Sequence, residues 1–221
     1  MSAGQAWVDV TGLGDSAVLL PCIALVALWL GLPKATRYLA WRWLALVLVV
    51  IGLVALSKLA FMGWMVSLPS LDFTGVSGHS ALAMLVWPAL AGLVGMRRGL
   101  RFQALGVLLG VALALAVGWS RVVLHAHSPS EVVLGLLLGA LAVLAFLWWH
   151  RHVWRLPERG FVAVLSLLLV LPFVYGHRFP SVSLVSDVAS YVSGHPAYTR
   201  HDLQLFRRHA ALVGRALPAG Y

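Results

Sequence analysis

The sequence predicts an all-α, polytopic membrane bundle of about six transmembrane helices. Composition is the first reason: of 221 residues, 61% are hydrophobic and only 10% charged, whereas soluble domains carry roughly 25% charged residues. Length is the second, because the apolar residues gather in runs near the ~20 residues that a helix needs to cross hydrocarbon. The third is periodicity. None of the runs alternates as barrel strands do, and an open sheet edge cannot be satisfied in lipid.

The runs fall at about 16–33, 42–62, 79–96, 101–119, 130–149 and 160–176. The stretch before the first, Met1 to Gly14, lacks the basic start of a secretory signal and carries Asp9, with Asp15 just after it, so the first run is expected to be retained. Gly31-Leu32-Pro33-Lys34 separates runs one and two, Met96-Arg97-Arg98-Gly99 runs three and four, and Arg155-Leu156-Pro157-Glu158 runs five and six. Pro88 and Pro172 fall inside runs and predict kinks. The single cysteine, Cys22, lies in an apolar run, which excludes an intrachain disulfide and a thiolate metal cluster.

Charge placement sets orientation. The net charge is +9, but many of the cations sit in short connections between runs, so they point to membrane topology and not to a nucleic-acid partner. Lys34, Arg37 and Arg42, then Arg97, Arg98 and Arg101, then Arg151, Arg155 and Arg159 occupy alternate connections, which places those three in the cytoplasm. The other two connections, about 63–78 and 119–130, then face outward together. Beyond residue 176, Leu205, Phe206, His209, Leu212, Val213 and Leu217 recur at helical spacing among Arg200, Arg207, Arg208 and Arg215. That pattern fits an amphipathic helix on anionic headgroups, or else a poorly ordered tail. His195, His201 and His209 are too widely spaced to argue for a metal.

Both outward connections hold polar knots. Ser77-Gly78-His79 opens the third run. Ser77 is a natural N-cap, and that could be its whole role. The same helix end also offers free N–H groups and a positive dipole end to an anion, and Gly78 permits close backbone approach. The second knot is Ser120-Arg121, five residues, His127, three residues, Glu131. Ser128-Pro129-Ser130-Glu131 reads as a capping box. Glu131 also stands one helical turn from His127, within reach of its imidazole, and can serve both purposes. Arg121 ends an apolar helix on the side where positive charge is disfavoured, and its guanidinium suits phosphate oxygens. Ionisable groups clustered at membrane depth point to function.

The second knot resembles the third signature of the type 2 phosphatidic acid phosphatase superfamily, which includes vanadium haloperoxidases. That signature reads S-R-x5-H-x3-D, with Glu131 here in place of Asp. Ser77-Gly78-His79 resembles the second signature, P-S-G-H, with Val76 in place of Pro. Of the first, K-x6-R-P, only Lys58 is present, and Met65-Val66 stands where Arg-Pro is usual.

The resemblance implies an integral-membrane lipid phosphatase with no cofactor and no metal, acting on a phosphorylated membrane lipid from the extracytoplasmic face of the cell membrane. His127 would be the nucleophile, Glu131 its orienting carboxylate, and His79 the general acid and then base. Arg121, Lys58, Ser120 and the Ser77-Gly78 backbone would bind phosphate. His125 lies nearby but misses the signature spacing. Residues 1–176 then form one transmembrane domain with a motif-bearing core at 58–150, and 177–221 a tail. Trp64 N–H or the Phe73-Thr74-Gly75 backbone could replace the missing arginine. The alternatives are a phosphotransferase to a lipid or sugar acceptor, a catalytically degenerate lipid-binding protein, and a haem bundle. Haem is disfavoured because His79 and His127 lie at helix mouths, with His150 and His152 at the opposite face.

Overall fold

Glycine and proline punctuation stops each apolar run close to where the sequence places it. The computed structural model describes residues 3–96, 98–150, 160–177 and 179–216. Its helices are α1 (Ala3–Gly12), α2 (Ser16–Gly31), α3 (Arg37–Trp64), α4 (Gly78–Met96), α5 (Leu100–Val123), α6 (Pro129–His150), α7 (Gly160–Val174), α8 (Ser181–Ser193) and α9 (Arg200–Ala216). Among the described residues the one sheet-like feature is an isolated bridge between Leu68 and Phe73. Arg97, Arg151, Arg155, Arg159 and Leu217, used above for topology and amphipathicity, lie outside the described residues.

Among the described residues, five helical stretches are long and apolar enough to cross a membrane: Gly4–Gly31, Lys34–Trp64, Gly78–Met96, Leu100–Val123 and Pro129–Trp149. The sixth expected run is α7, whose 15 residues span about 22 Å at helical rise, short of the ~30 Å hydrocarbon core. Two differences from the sequence reading matter for the site. α5 continues to Val123, so Ser120 and Arg121 belong to its last helical turns and not to the connection. A short helix, α1, precedes the first apolar run, and Asp15 caps the start of α2 by accepting from the Ala17 N–H at 2.8 Å. Pro88 and Pro172 lie within α4 and α7, which run on past them.

The chain divides into two compact units, Met1–Val54 with Val76–Phe179 and Ala55–Gly75 with Pro180–Tyr221. In the first unit α4 is the central helix, buried at every position from Ser80 to Leu90. Glycines let its neighbours approach. A Cβ at Gly110 of α5 would lie 2.5 Å from Pro88 Cα, and one at Gly135 of α6 would lie 2.6 Å from the Ser77 carbonyl oxygen. Gly106 and Gly139, four residues away in each case, meet the Ala91 and Ala81 carbonyls in the same manner. These are small-xxx-small faces, the packing that membrane helices favour where no hydrophobic force drives them together.

At the far end of this unit the Arg42 guanidinium lies 5.3 Å from the Tyr38 ring and 5.1 Å from the Trp149 ring. That grouping of cation and aromatics suits a headgroup boundary. Between the ends, Trp43 is fully buried, donates to the Ile23 carbonyl at 3.1 Å and packs its ring 5.0 Å from that of Phe146.

In the second unit α8 packs beside the end of α3: a Cβ at Gly63 would lie 3.8 Å from Ser193 Cβ, and Tyr198 N–H donates to the Met62 carbonyl at 2.8 Å. α9 is strongly amphipathic. Leu203 is buried, while Leu205 and Phe206 are exposed. Thr199 caps it, donating through its N–H and hydroxyl to Asp202 at 2.7 and 2.6 Å, and these bonds hold the Asp202 carboxyl below its usual pKa.

Candidate active site

The end of α5 explains the spacing of the second knot. Leu124 is the C-cap and His125 follows in the left-handed region, with φ 52°. The His125 N–H donates to the Val122 carbonyl at 3.0 Å, and the Ala126 N–H to the Arg121 carbonyl at 3.0 Å. This is a Schellman closure, with a histidine in the position usually given to glycine. The His127 N–H also donates to the Arg121 carbonyl, at 3.2 Å. The five residues between Arg121 and His127 are therefore a helix terminator, and they tie the two motif residues to one carbonyl. His125 is exposed and acts in that closure.

Two residues later α6 begins, and Glu131 fulfils both roles that the sequence allowed. Its Oε2 lies 2.6 Å from His127 Nδ1 and accepts the Ser128 N–H at 3.3 Å, while its own N–H donates to Ser128 Oγ at 3.4 Å. The Glu131 side chain is 0% exposed and that of His127 15%. A buried carboxylate requires partners of this kind. Ionised, it is an acceptor only, so Nδ1 carries the proton in this pair.

The first knot is joined to this turn through backbone. The Ser77 N–H donates to the Glu131 carbonyl at 3.1 Å. Ser77 is fully buried, and its hydroxyl accepts from the Ser80 N–H at 3.5 Å and from Ser80 Oγ at 2.9 Å, so it caps the first turn of α4. The expectation that the Ser77 backbone amide binds phosphate is corrected accordingly: that N–H is committed to α6. Ser120 is likewise fully buried and donates to the Val117 carbonyl at 2.6 Å. His79 and Gly78 are partly exposed at the start of α4. His79, Arg121, His127 and Glu131 thus converge on one end of the first unit, where α4 and α6 begin and α5 ends.

Sequence reasoning missed the segment that completes this end. Arg121 Nη1 donates to Thr11 Oγ1 at 3.0 Å. Gly14 is buried, and a Cβ there would run into Val117 and come within 3.3 Å of His79 Cβ and Cδ2. Trp87 Nε1 pins the turn by donating to the Leu13 carbonyl at 3.1 Å. Asp15 Oδ2 lies 3.8 Å from His79 Nε2. No local pattern announces these contacts, since Thr11 and Arg121 are 110 positions apart.

Lys58 belongs to the second unit. There it lies on α3 against Gly75, whose φ is 153° and where a Cβ would meet Lys58 Cγ at 3.1 Å. Met65, at the place of the missing arginine, closes α3 in the left-handed region with φ 55°. Among the groups considered as its replacement, the Phe73 N–H is taken by the Leu68 carbonyl at 3.2 Å.

Chemically, the first unit presents an imidazole with one nitrogen fixed by a buried carboxylate. The Arg121 guanidinium, in the last turn of α5, suits an oxyanion. A second imidazole stands at a helix N-terminus, where negative charge is favoured.

A family model described as the PAP2 superfamily matches residues 63–155, which contain the second and third motifs whole. An uncharacterized 22.5 kDa protein in the cps region of Klebsiella pneumoniae is 39% identical over 205 residues, covering 89% of this chain and 97% of that protein. No solved structure matches. With its motifs gathered at one end of a helical membrane-type fold, the chain belongs to the PAP2 superfamily.

Proposed function

We propose that the protein is an integral-membrane lipid phosphatase that hydrolyses a phosphomonoester or pyrophosphate of a membrane lipid through a phosphohistidine intermediate. The observation that carries this reading is the 2.6 Å pairing of His127 Nδ1 with the buried Glu131, which leaves Nε2 as a nucleophile. In the first step Nε2 bonds to phosphorus as the bond to the leaving oxygen breaks, and His79 protonates that oxygen. In the second, water attacks the phosphohistidine, His79 takes the proton, the P–N bond breaks and phosphate departs. Glu131 balances the imidazolium charge, and Arg121 and the Gly78 amide hold the equatorial oxygens. No metal ion takes part in this scheme.

By analogy with single oxyanion donors, loss of the first motif's arginine costs about 2–4 kcal/mol of transition-state stabilisation. That slows the reaction without removing a step. Lys34, Arg37, Arg42, Arg98 and Arg101 favour the cytoplasm, and this supports an extracytoplasmic site at the other end of the bundle. The test is phosphate release in detergent from phosphatidic acid, phosphatidylglycerophosphate, undecaprenyl pyrophosphate and lipid A, with His127→Ala as control. Release from at least one lipid, lost in the variant, is expected. Near-wild-type release by His127→Ala contradicts the mechanism.

A further inference from the structure

A charged side chain facing His79 comes from outside both motifs and outside the family-matched stretch. Asp15 Oδ2 lies 3.8 Å from His79 Nε2, with side-chain exposures of 15% and 23%. The carboxylate is fixed by its other oxygen, since Oδ1 accepts the Ala17 N–H at 2.8 Å and the Phe179 N–H at 3.1 Å. Gly14, directly before it, leaves no room for a side chain against the imidazole: a Cβ there would lie 3.3 Å from His79 Cβ and Cδ2, so the backbone of the turn runs close beside the ring. The gap to Nε2 exceeds a direct hydrogen bond, but it is short enough for a charge to act and for one water to bridge.

We propose that Asp15 is a positioning residue for His79, holding a proton on Nε2 so that Nδ1 is the nitrogen that trades protons with the leaving oxygen and then with water. The inference rests on the general-acid reading of His79 given above. A carboxylate beside one imidazole nitrogen selects the tautomer and steadies the cationic form. In the first step doubly protonated His79 gives its Nδ1 proton to the leaving oxygen as the P–O bond breaks, and becomes the neutral Nε2–H tautomer. In the second step Nδ1 takes a proton from the attacking water. The two histidines then work with opposite nitrogens: His127 is held at Nδ1 and reacts at Nε2, while His79 is held at Nε2 and reacts at Nδ1.

Capping α2 would account for Oδ1 alone, and substitution separates the two roles. Asp15→Asn keeps an N-cap acceptor of the same shape without the charge, and Asp15→Ser keeps a smaller one. The full-length protein in detergent is assayed on p-nitrophenyl phosphate, whose leaving group needs no proton, and on octyl phosphate, whose alkoxide does. Asp15→Asn should lower kcat/KM, which covers the steps through phosphohistidine formation and not its hydrolysis, about tenfold or more on octyl phosphate, within the range of general acid catalysis. On p-nitrophenyl phosphate its loss should be small, and Asp15→Ser should behave alike. His79→Gln should show the same contrast, more strongly. Equal losses on both substrates for the Asp15 variants, or none, while His79→Gln keeps the contrast, would reduce Asp15 to a helix cap. Equal losses for His79→Gln itself would overturn the general-acid reading and this inference together.

Discussion

His127 Nδ1 and Glu131 Oε2 lie 2.6 Å apart, and the same oxygen accepts the Ser128 N–H at 3.3 Å, so one carboxylate both caps α6 and holds the imidazole. Substitution separates these roles. Glu131→Gln keeps an acceptor for the Ser128 amide but removes the charge opposite the imidazolium. Its rate should fall by about 10²–10⁴-fold, as when another catalytic histidine loses its orienting carboxylate. Thermal stability should change little, because a buried charge is replaced by a neutral group of equal size. Glu131→Asp should retain partial activity. An unchanged rate for Glu131→Gln would make Glu131 a capping residue only.

The two histidines of the α5–α6 turn should respond differently. His125 occupies a left-handed position with φ 52°, at a cost of about 1 kcal/mol that glycine avoids. His125→Gly is therefore expected to raise the melting temperature slightly and to keep most activity. Loss of activity in that variant, with His127→Ala still active, would reassign the nucleophile.

Glycine packing around α4 gives a stability test independent of chemistry. A Cβ at Gly110 would stand 2.5 Å from Pro88 Cα, whereas at Gly52 nothing lies within 4 Å. Gly110→Ala should destabilise by about 1–3 kcal/mol or more. Gly52→Ala should be neutral or stabilising by up to about 1 kcal/mol. Melting curves in one detergent compare them, and equal melting temperatures would contradict the close approach of α5 to α4.

Membrane sidedness is tested by labelling. Thr74 is buried, so Ser70, which is exposed in the same loop, is the better outer probe, and exposed Arg98 is the inner one. In a Cys22→Ser background, Ser70→Cys should react with an impermeant maleimide on intact cells and Arg98→Cys should not. Labelling of both would place the two connections on one side and refute the assigned topology.

The parts of this architecture that were legible in the sequence are those with a short physical range. Hydropathy and Gly/Pro punctuation located α2 to α7 within a few residues, because lipid demands length and turns demand particular residues. His127 and Glu131 could be paired because four positions make one helical turn. α1 and α8 escaped because each is short and mixes polar with apolar residues. The spacing of Gly106 with Gly110 and of Gly135 with Gly139 was open to view, but spacing does not name the helix that is met. Thr11 and Asp15 could not be read at all, since their contacts with Arg121 and His79 exist only once α1 and α2 fold beside α4 and α5. The Ser77 amide was misassigned for the same reason: its partner, the Glu131 carbonyl, is 54 positions away, from 131 − 77.

Vanadate should inhibit turnover, since its trigonal-bipyramidal adduct with an imidazole resembles the transition state. EDTA should leave the rate unchanged. Loss of activity in EDTA, restored by a divalent cation, would point to a metal-dependent reaction at another set of residues.

The central claim is a covalent phosphohistidine on His127, and the most direct measurement is to trap it. The protein is mixed with a turned-over lipid phosphate, quenched under alkaline conditions that preserve phosphohistidine, digested and mapped by mass spectrometry. One phosphoryl group on His127 is expected in the wild type and none in His127→Ala. Turnover with no phosphorylated His127 at any quench time, or with the phosphoryl group on His125 or His79, would contradict the account.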